Sequence, residues 1–180
     1  MQNHRPVTLA LPDRHLHCSD NHLPILAVMH HTQRFELGFD VVDALTGPKI
    51  GRPRSATYRT GDVVGLDTLA HVVSTMRDTL PDDPWHAFFK APAWLDGLIA
   101  RGALGQKTKA GIYRKQGRQI QVLDLHLQDY RDSGGEVFPD VEDILKLKNP
   151  AEKFAQLAAH PHPQAQFLWA CFRDVFHYIA

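Results

Sequence analysis

Val42-Asp43-Ala44-Leu45-Thr46-Gly47-Pro48, with Gly51-Arg52-Pro53 close behind and Gly65-Leu66-Asp67 further on, decides how this chain of 180 residues is read. Gly47-Pro48 closes a short helix over Asp40 to Thr46, because proline cannot continue one. Lys49 to Arg59 reads as loop. Thr60 is then a reasonable N-cap, with Asp62 favourably placed in the first turn of a longer helix. Along that helix Val63, Leu66, Leu69, Val72, Val73, Met76 and Leu80 fall on one stripe, which predicts a core element. Pro81-Asp82-Asp83-Pro84 stops it.

Upstream, residues 1 to 18 show no sustained period and read as an irregular arm. Asn21 to Leu37 predicts a helix with Pro24 near its start, interrupted at His30, His31 and Thr32 and ended by Gly38. Downstream, Trp85, Phe88 and Phe89 form an aromatic packing cluster. A helix over Pro92 to Arg101 turns Trp94, Leu95, Leu98 and Ile99 inward, with Gly102 after it. Gly105 to Gly111 is a polar loop. Ile112 and Tyr113, then Ile120, Val122 and Leu123, alternate as two extended segments joined at Gln116-Gly117, a small hairpin. Asp132 to Glu136 reads as linker. Helices follow over Val141 to Leu147 and Ala151 to Ala159, the second opened by Asn149-Pro150. A last helix from Pro163 carries Phe167, Leu168, Cys171, Phe172, Val175, Phe176 and Ile179, a wide apolar stripe that predicts self-association. The chain shows no internal repeat.

Twenty basic and twenty acidic residues cancel, so the overall positive field that drives nucleic-acid binding is missing. With 43% apolar residues the chain can bury an ordinary core without metal or disulfide. Cys18 and Cys171 fit no disulfide framework or zinc spacing, which suits a reduced compartment. No secretory leader and no apolar run of roughly 18–20 residues is found, so a soluble, cytoplasmic protein without membrane contact is expected. Twelve histidines invite a metal reading through His15, His17, Cys18 and His22, through His30 and His31, or through His160 and His162. Nothing defines donor geometry at any of them, and no metal is assigned. G-x-G-x-x-G, P-loop, H-E-x-x-H and G-x-S-x-G patterns are all missing. Basic residues gather between Lys49 and Arg59 and between Lys107 and Arg118. They read as solvated loops or as charge offered to a phosphorylated ligand.

Val42 to Asp67, together with Gly105-Gln106-Lys107-Thr108-Lys109-Ala110-Gly111-Ile112-Tyr113, resembles the helical C-terminal domain of the 3-hydroxyacyl-CoA dehydrogenases. The loop is similar to that family's G-x-K-T-G-x-G-F-Y, with Lys109 where the family has an inner glycine. Asn21-His22-Leu23-Pro24-Ile25-Leu26-Ala27-Val28-Met29-His30 lies without a gap on N-R-I-G-x-x-G-M-M-H, departing at His22, Pro24 and Ala27.

The resemblance implies an all-α fold of the 6-phosphogluconate-dehydrogenase-C-terminal type, here with the small β-hairpin. Its domain would cover 19–117, and 118–180 would lead towards a second repeat, followed in larger bacterial enzymes by an enoyl-CoA hydratase part. It places a catalytic amide at Asn21, which equally reads as an N-cap. It places acyl-CoA contacts at Arg52, Pro53, Ser55, Thr57 and Tyr58. NAD, the histidine base and its glutamate would belong to a Rossmann domain missing from this chain, so the chain alone should bind no NAD and turn over nothing. A homodimer is implied. The alternatives are a non-catalytic helical interaction module derived from the same family and, on histidine count alone, a metal-dependent regulator.

Overall fold

A computed structural model describes residues 23–179 of the chain. Among them are eight α-helices and one three-stranded antiparallel sheet. α1 (Leu23–Arg34) runs unbroken through His30-His31-Thr32, where the sequence predicts an interruption. The helix persists because most of its inward polar groups find partners, His31 Nδ1 being left without one among the described residues. Thr32 Oγ1 donates to the Val28 carbonyl at 2.7 Å, and His31 Nε2 meets Asp174 at 2.7 Å. A buried polar group with a partner carries little of the penalty an orphan would. α1 also stops before Gly38. Glu36 takes a left-handed φ of 52°, and the Leu37 amide bonds back to the Thr32 carbonyl at 3.1 Å, a Schellman closure made without glycine. Gly38 instead caps α2 (Phe39–Thr46).

The long helix expected from Thr60 is two helices. α3 (Tyr58–Val64) and α4 (Leu66–Thr79) meet at Gly65, whose φ of 105° and ψ of 129° break the hydrogen-bond ladder. Thr60 therefore lies inside α3 and caps nothing; its hydroxyl contacts the Ala56 carbonyl at 2.8 Å and Ser55 at 2.9 Å. The stripe divides at the same point. Leu66, Leu69, Val73 and Met76 are buried, whereas Val63 is 57% exposed. Asp62, expected in the first turn of that helix, is buried within α3.

α5 (Ala93–Ala100) turns Trp94, Leu95 and Leu98 inward, as its periodicity predicts. Phe89 is fully buried but Phe88 stays largely exposed, so the aromatic cluster packs only in part. β1 (Tyr113–Gln116) and β2 (Gln119–Asp124) form the expected hairpin. β3 (Asp129–Asp132) adds a third strand with no alternation to announce it. It is held by Arg131, whose guanidinium reaches both Asp40 oxygens at 2.8 Å and Asp124 at 2.9 Å. The meander is thereby tied to the start of α2.

α6 (Pro139–Lys146), α7 (Pro150–Ala159) and α8 (Pro163–Ile179) complete the fold. Asn149 caps α7 as read from the sequence, accepting from the Ala151 amide at 3.0 Å. α8 lies along α1 and α7. One hydrophobic cluster runs from Val28 through Phe39, Leu66 and Val122 to Leu168 and Cys171. A smaller one joins Leu26, Val73, Met76 and Phe89. Beyond Cys171 the stripe of α8 emerges, leaving Phe176 and Ile179 at 52% and 71% exposure.

Candidate functional site

Two buried aspartates organise the stretch that decides the fold. Phe39, Val42, Asp43 and Thr46 stand at i, i+3, i+4 and i+7 on α2, and all four are buried. A carboxylate on such a stripe must be satisfied internally. Asp43 accepts from the backbone amides of Thr57, Tyr58 and Arg59 at 3.0, 2.7 and 3.0 Å. It thus caps α3 from a different helix, meeting amides that the helix itself leaves unpaired. The Tyr113 hydroxyl donates to the same carboxylate at 2.9 Å.

α3 repeats the device. Tyr58, Gly61 and Asp62 are its buried residues, and Asp62 accepts from the amides of Ile112 and Tyr113, each at 2.8 Å. The loop from Gly105 to Gly111 closes against Asp62 so tightly that a Cβ at either glycine would collide with it. Lys109 in that loop takes the left-handed φ of 61° although it is not glycine, a strain on the order of 1 kcal/mol. The Thr108 hydroxyl, which accepts from the Leu104 amide at 2.8 Å, and the Gly105 amide on the Ala110 carbonyl at 2.7 Å hold the loop in place.

Burial drives the Asp62 carboxyl up to about 6, its two amide hydrogen bonds opposing only in part. Asp43 moves up for the same reason, against hydrogen bonds from Tyr58, Tyr113, Arg59 and Thr57. Burial also raises the hydroxyls of Tyr58 and Tyr113, which therefore act as neutral donors. Elsewhere, burial, with the neighbouring His30 and Arg34, lowers His31 against the pull of Asp174. Their contact is a hydrogen bond from a neutral imidazole to a carboxylate rather than an ion pair.

The residues picked from the sequence divide into two groups. Thr57 and Tyr58 face inward. Thr57 Oγ1 lies 2.9 Å from Thr46 Oγ1 and accepts from Arg52 at 3.0 Å, and the Tyr58 hydroxyl donates to Thr32 at 2.8 Å. The Tyr58 ring packs edge-on against Phe39 and Trp94 at centroid distances of 4.5 and 6.0 Å. Arg52 and Ser55 are half-buried and Pro53 is exposed, so these three form the outer side of the turn. Asn21, and with it His15, His17, Cys18 and His22, lies outside the described residues. A recess of about 400 Å³ opens elsewhere, between Glu36, Phe39, Leu125, His126 and Arg131, and none of the sequence-derived contacts line it. Asp43, Asp62 and Tyr113, which build the site, were not picked from the sequence. The available signal was a carboxylate at the i+4 position of a buried stripe.

This geometry spans the segment over which the chain matches a family model, that of the 3-hydroxyacyl-CoA dehydrogenase C-terminal domain, across residues 25–115. The chain belongs to that family. A probable 3-hydroxyacyl-CoA dehydrogenase of Bacillus subtilis (strain 168) is 36% identical over 128 residues, covering 71% of this chain and 16% of the relative. A probable 3-hydroxyacyl-CoA dehydrogenase of Deinococcus radiodurans is 38% identical over 91 residues, 51% of this chain and 25% of that protein. A putative fatty acid oxidation complex trifunctional enzyme of Rickettsia prowazekii is 24% identical over 100 residues, 53% of this chain and 14% of the relative. The chain therefore spans a quarter or less of the length of these relatives. No solved structure matches it. Both aspartates and the segments they tie together lie within the matched stretch. No helix among the described residues is long and apolar enough to cross a membrane.

Proposed function

We propose that this chain is the substrate-binding and dimerisation domain of an NAD-dependent 3-hydroxyacyl-CoA dehydrogenase of fatty-acid β-oxidation. In this reading the cofactor is held by a separate Rossmann domain. The observation that carries it is the family match over 25–115. The described residues do not fit NAD. The sequence has no G-x-G-x-x-G, and the sheet among the described residues is an antiparallel meander rather than the parallel sheet that builds a dinucleotide crevice. No hydride step is assigned to it.

This chain would supply shape and polar contacts. Arg52, Pro53 and Ser55 meet the acyl-CoA on the outer side of the turn, while Thr57 and Tyr58 fix that turn from behind. Asn21 offers an amide that can donate to a developing carbonyl oxygen without titrating. The exposed end of α8 covers itself with a second copy. In an assay with acetoacetyl-CoA and NADH the chain alone should show no oxidation of NADH. Mixed with a separately expressed Rossmann domain of the family it should restore turnover. Turnover by the chain alone, or none from the mixture, overturns the proposal. The non-catalytic module is the second reading, favoured by the departures at His22, Pro24 and Ala27. It predicts a dimer that never restores turnover.

A further inference from the structure

Between Gly47 and Thr60 the chain carries Lys49, Arg52, Arg54 and Arg59 and no acidic residue, within a sequence whose charges otherwise balance. Two of these cations are engaged. Lys49 pairs with Glu142. Arg59 lies over the Tyr113 ring at 4.5 Å, with its Nε 4.0 Å from Asp43. The other two keep donors available. Arg52 is half-buried and gives one N–H to Thr57 at 3.0 Å, its remaining N–H groups having no partner among the described residues. Arg54 is exposed, with no ion pair and no hydrogen bond among the described residues.

The backbone of the same turn is also unsaturated. The amides of Gly51, Arg52 and Ala56 bond protein carbonyls at 3.0, 3.2 and 2.9 Å, whereas those of Arg54 and Ser55 bond none among the described residues. The turn is held from behind by Asp43 on the amides of Thr57, Tyr58 and Arg59 and by the contact of Thr46 with Thr57. Pro53 fixes its own φ between the two arginines. Ordering such a turn is thus largely complete before any ligand arrives, which removes one of the main penalties of binding. Planar guanidinium forks match phosphate oxygens in pairs. In a chain without an overall positive field, one unpaired arginine beside a second with donors to spare suits a compact phosphorylated ligand better than an extended polyanion.

We propose that Arg54 and Arg52, on the Gly51–Ser55 turn, bind the phosphates at the nucleotide end of acyl-CoA; this rests on the dehydrogenase reading above. Calorimetric titration of the full chain with coenzyme A tests it, with pantetheine and inorganic phosphate as comparison ligands. Arg54→Ala should weaken coenzyme A binding about tenfold, and Arg54→Glu further. Arg77→Ala, which removes the same charge from the last turn of α4, should leave it unchanged. Pantetheine, which lacks the phosphates, should bind at least about tenfold more weakly than coenzyme A.

Wild-type protein that fails to bind coenzyme A at millimolar concentration sinks the proposal. So does an Arg54→Ala affinity equal to wild type, pantetheine binding as tightly as coenzyme A, or displacement of coenzyme A by inorganic phosphate at equal concentration. The turnover of the mixed domains judges the dehydrogenase reading separately. A chain that restores turnover while Arg54→Ala binds coenzyme A normally overturns only the phosphate assignment.

Discussion

Asp62 shows how one side chain ties local sequence to long-range architecture. It accepts amides from residues fifty and fifty-one positions away, and it does so as a carboxylate buried without a cation in contact. Its folded value of about 6 stands above the ordinary 3.8. The native state therefore holds the proton more tightly than the unfolded chain does. By linkage, this group's contribution falls as pH rises from about 4 to about 6 and is level above that. The shift corresponds to roughly 3 kcal/mol. His31 works in the opposite direction. Its folded value lies below 6.5, so the stability of its neutral form is lost as pH falls from 6.5 through that folded value. Urea denaturation of wild type and Asp62→Asn at several pH values isolates the aspartate. Wild-type stability should drop relative to the variant by about 2–3 kcal/mol between about pH 4 and pH 7. A difference that does not change with pH refutes this. The aspartate was present in the sequence, but its role was not legible there. A first-turn acid and a buried amide clamp look the same until the partner loop is in view.

At the scale of elements, the clearest departure is the break at Gly65. On both sides of it the apolar spacing is helical, so periodicity alone joins α3 to α4. The chain instead turns through a positive φ, and the turn is completed by Lys107, whose Nζ reaches both Asp67 oxygens at 2.6 and 2.7 Å. A Cβ at Gly65 would stand 2.9 Å from Asp67 Oδ1 and 3.1 Å from Lys107 Nζ. The side chain of that surface pair could move, but the backbone conformation would remain strained. Gly65→Ala should therefore destabilise the fold by about 1–3 kcal/mol, chiefly through φ. An unchanged urea midpoint would show that the break is not fixed by the glycine. Other elements were plain in the sequence: α2 closed by Gly47-Pro48, α5 followed by Gly102, and α7 capped by Asn149. In each, the deciding residues lie within one turn of the boundary they set. β3 gave no such signal. Its register depends on Arg131 reaching Asp40, ninety-one residues earlier in the chain.

For the whole molecule, the far end of α8 leaves apolar surface exposed among the described residues. Phe154 meets Phe172 and Phe176 edge-on there, at centroid distances of 5.2 and 5.7 Å, while those two rings stack at 6.1 Å, and Phe176 and Ile179 remain exposed. Exposed rings of this kind favour association. Light scattering at micromolar concentration should give the mass of a dimer, and Phe176→Ala combined with Ile179→Ala should shift it towards monomer. A wild-type monomer at that concentration counts against the dimer.

Sequence alone determined the helical class, the hairpin, the short helices with their end signals, and the family to which the stretch from Val42 to Tyr113 belongs. Those features rest on spacing, turn chemistry and motif, all of them local. Tertiary structure alone decided that α1 continues through its histidines, that Thr57 and Tyr58 look inward, and that Asp43 and Asp62 are the ties between segments. Each of these depends on a hydrogen-bond partner distant in the chain, and burial gives a polar group its meaning only when that partner is known.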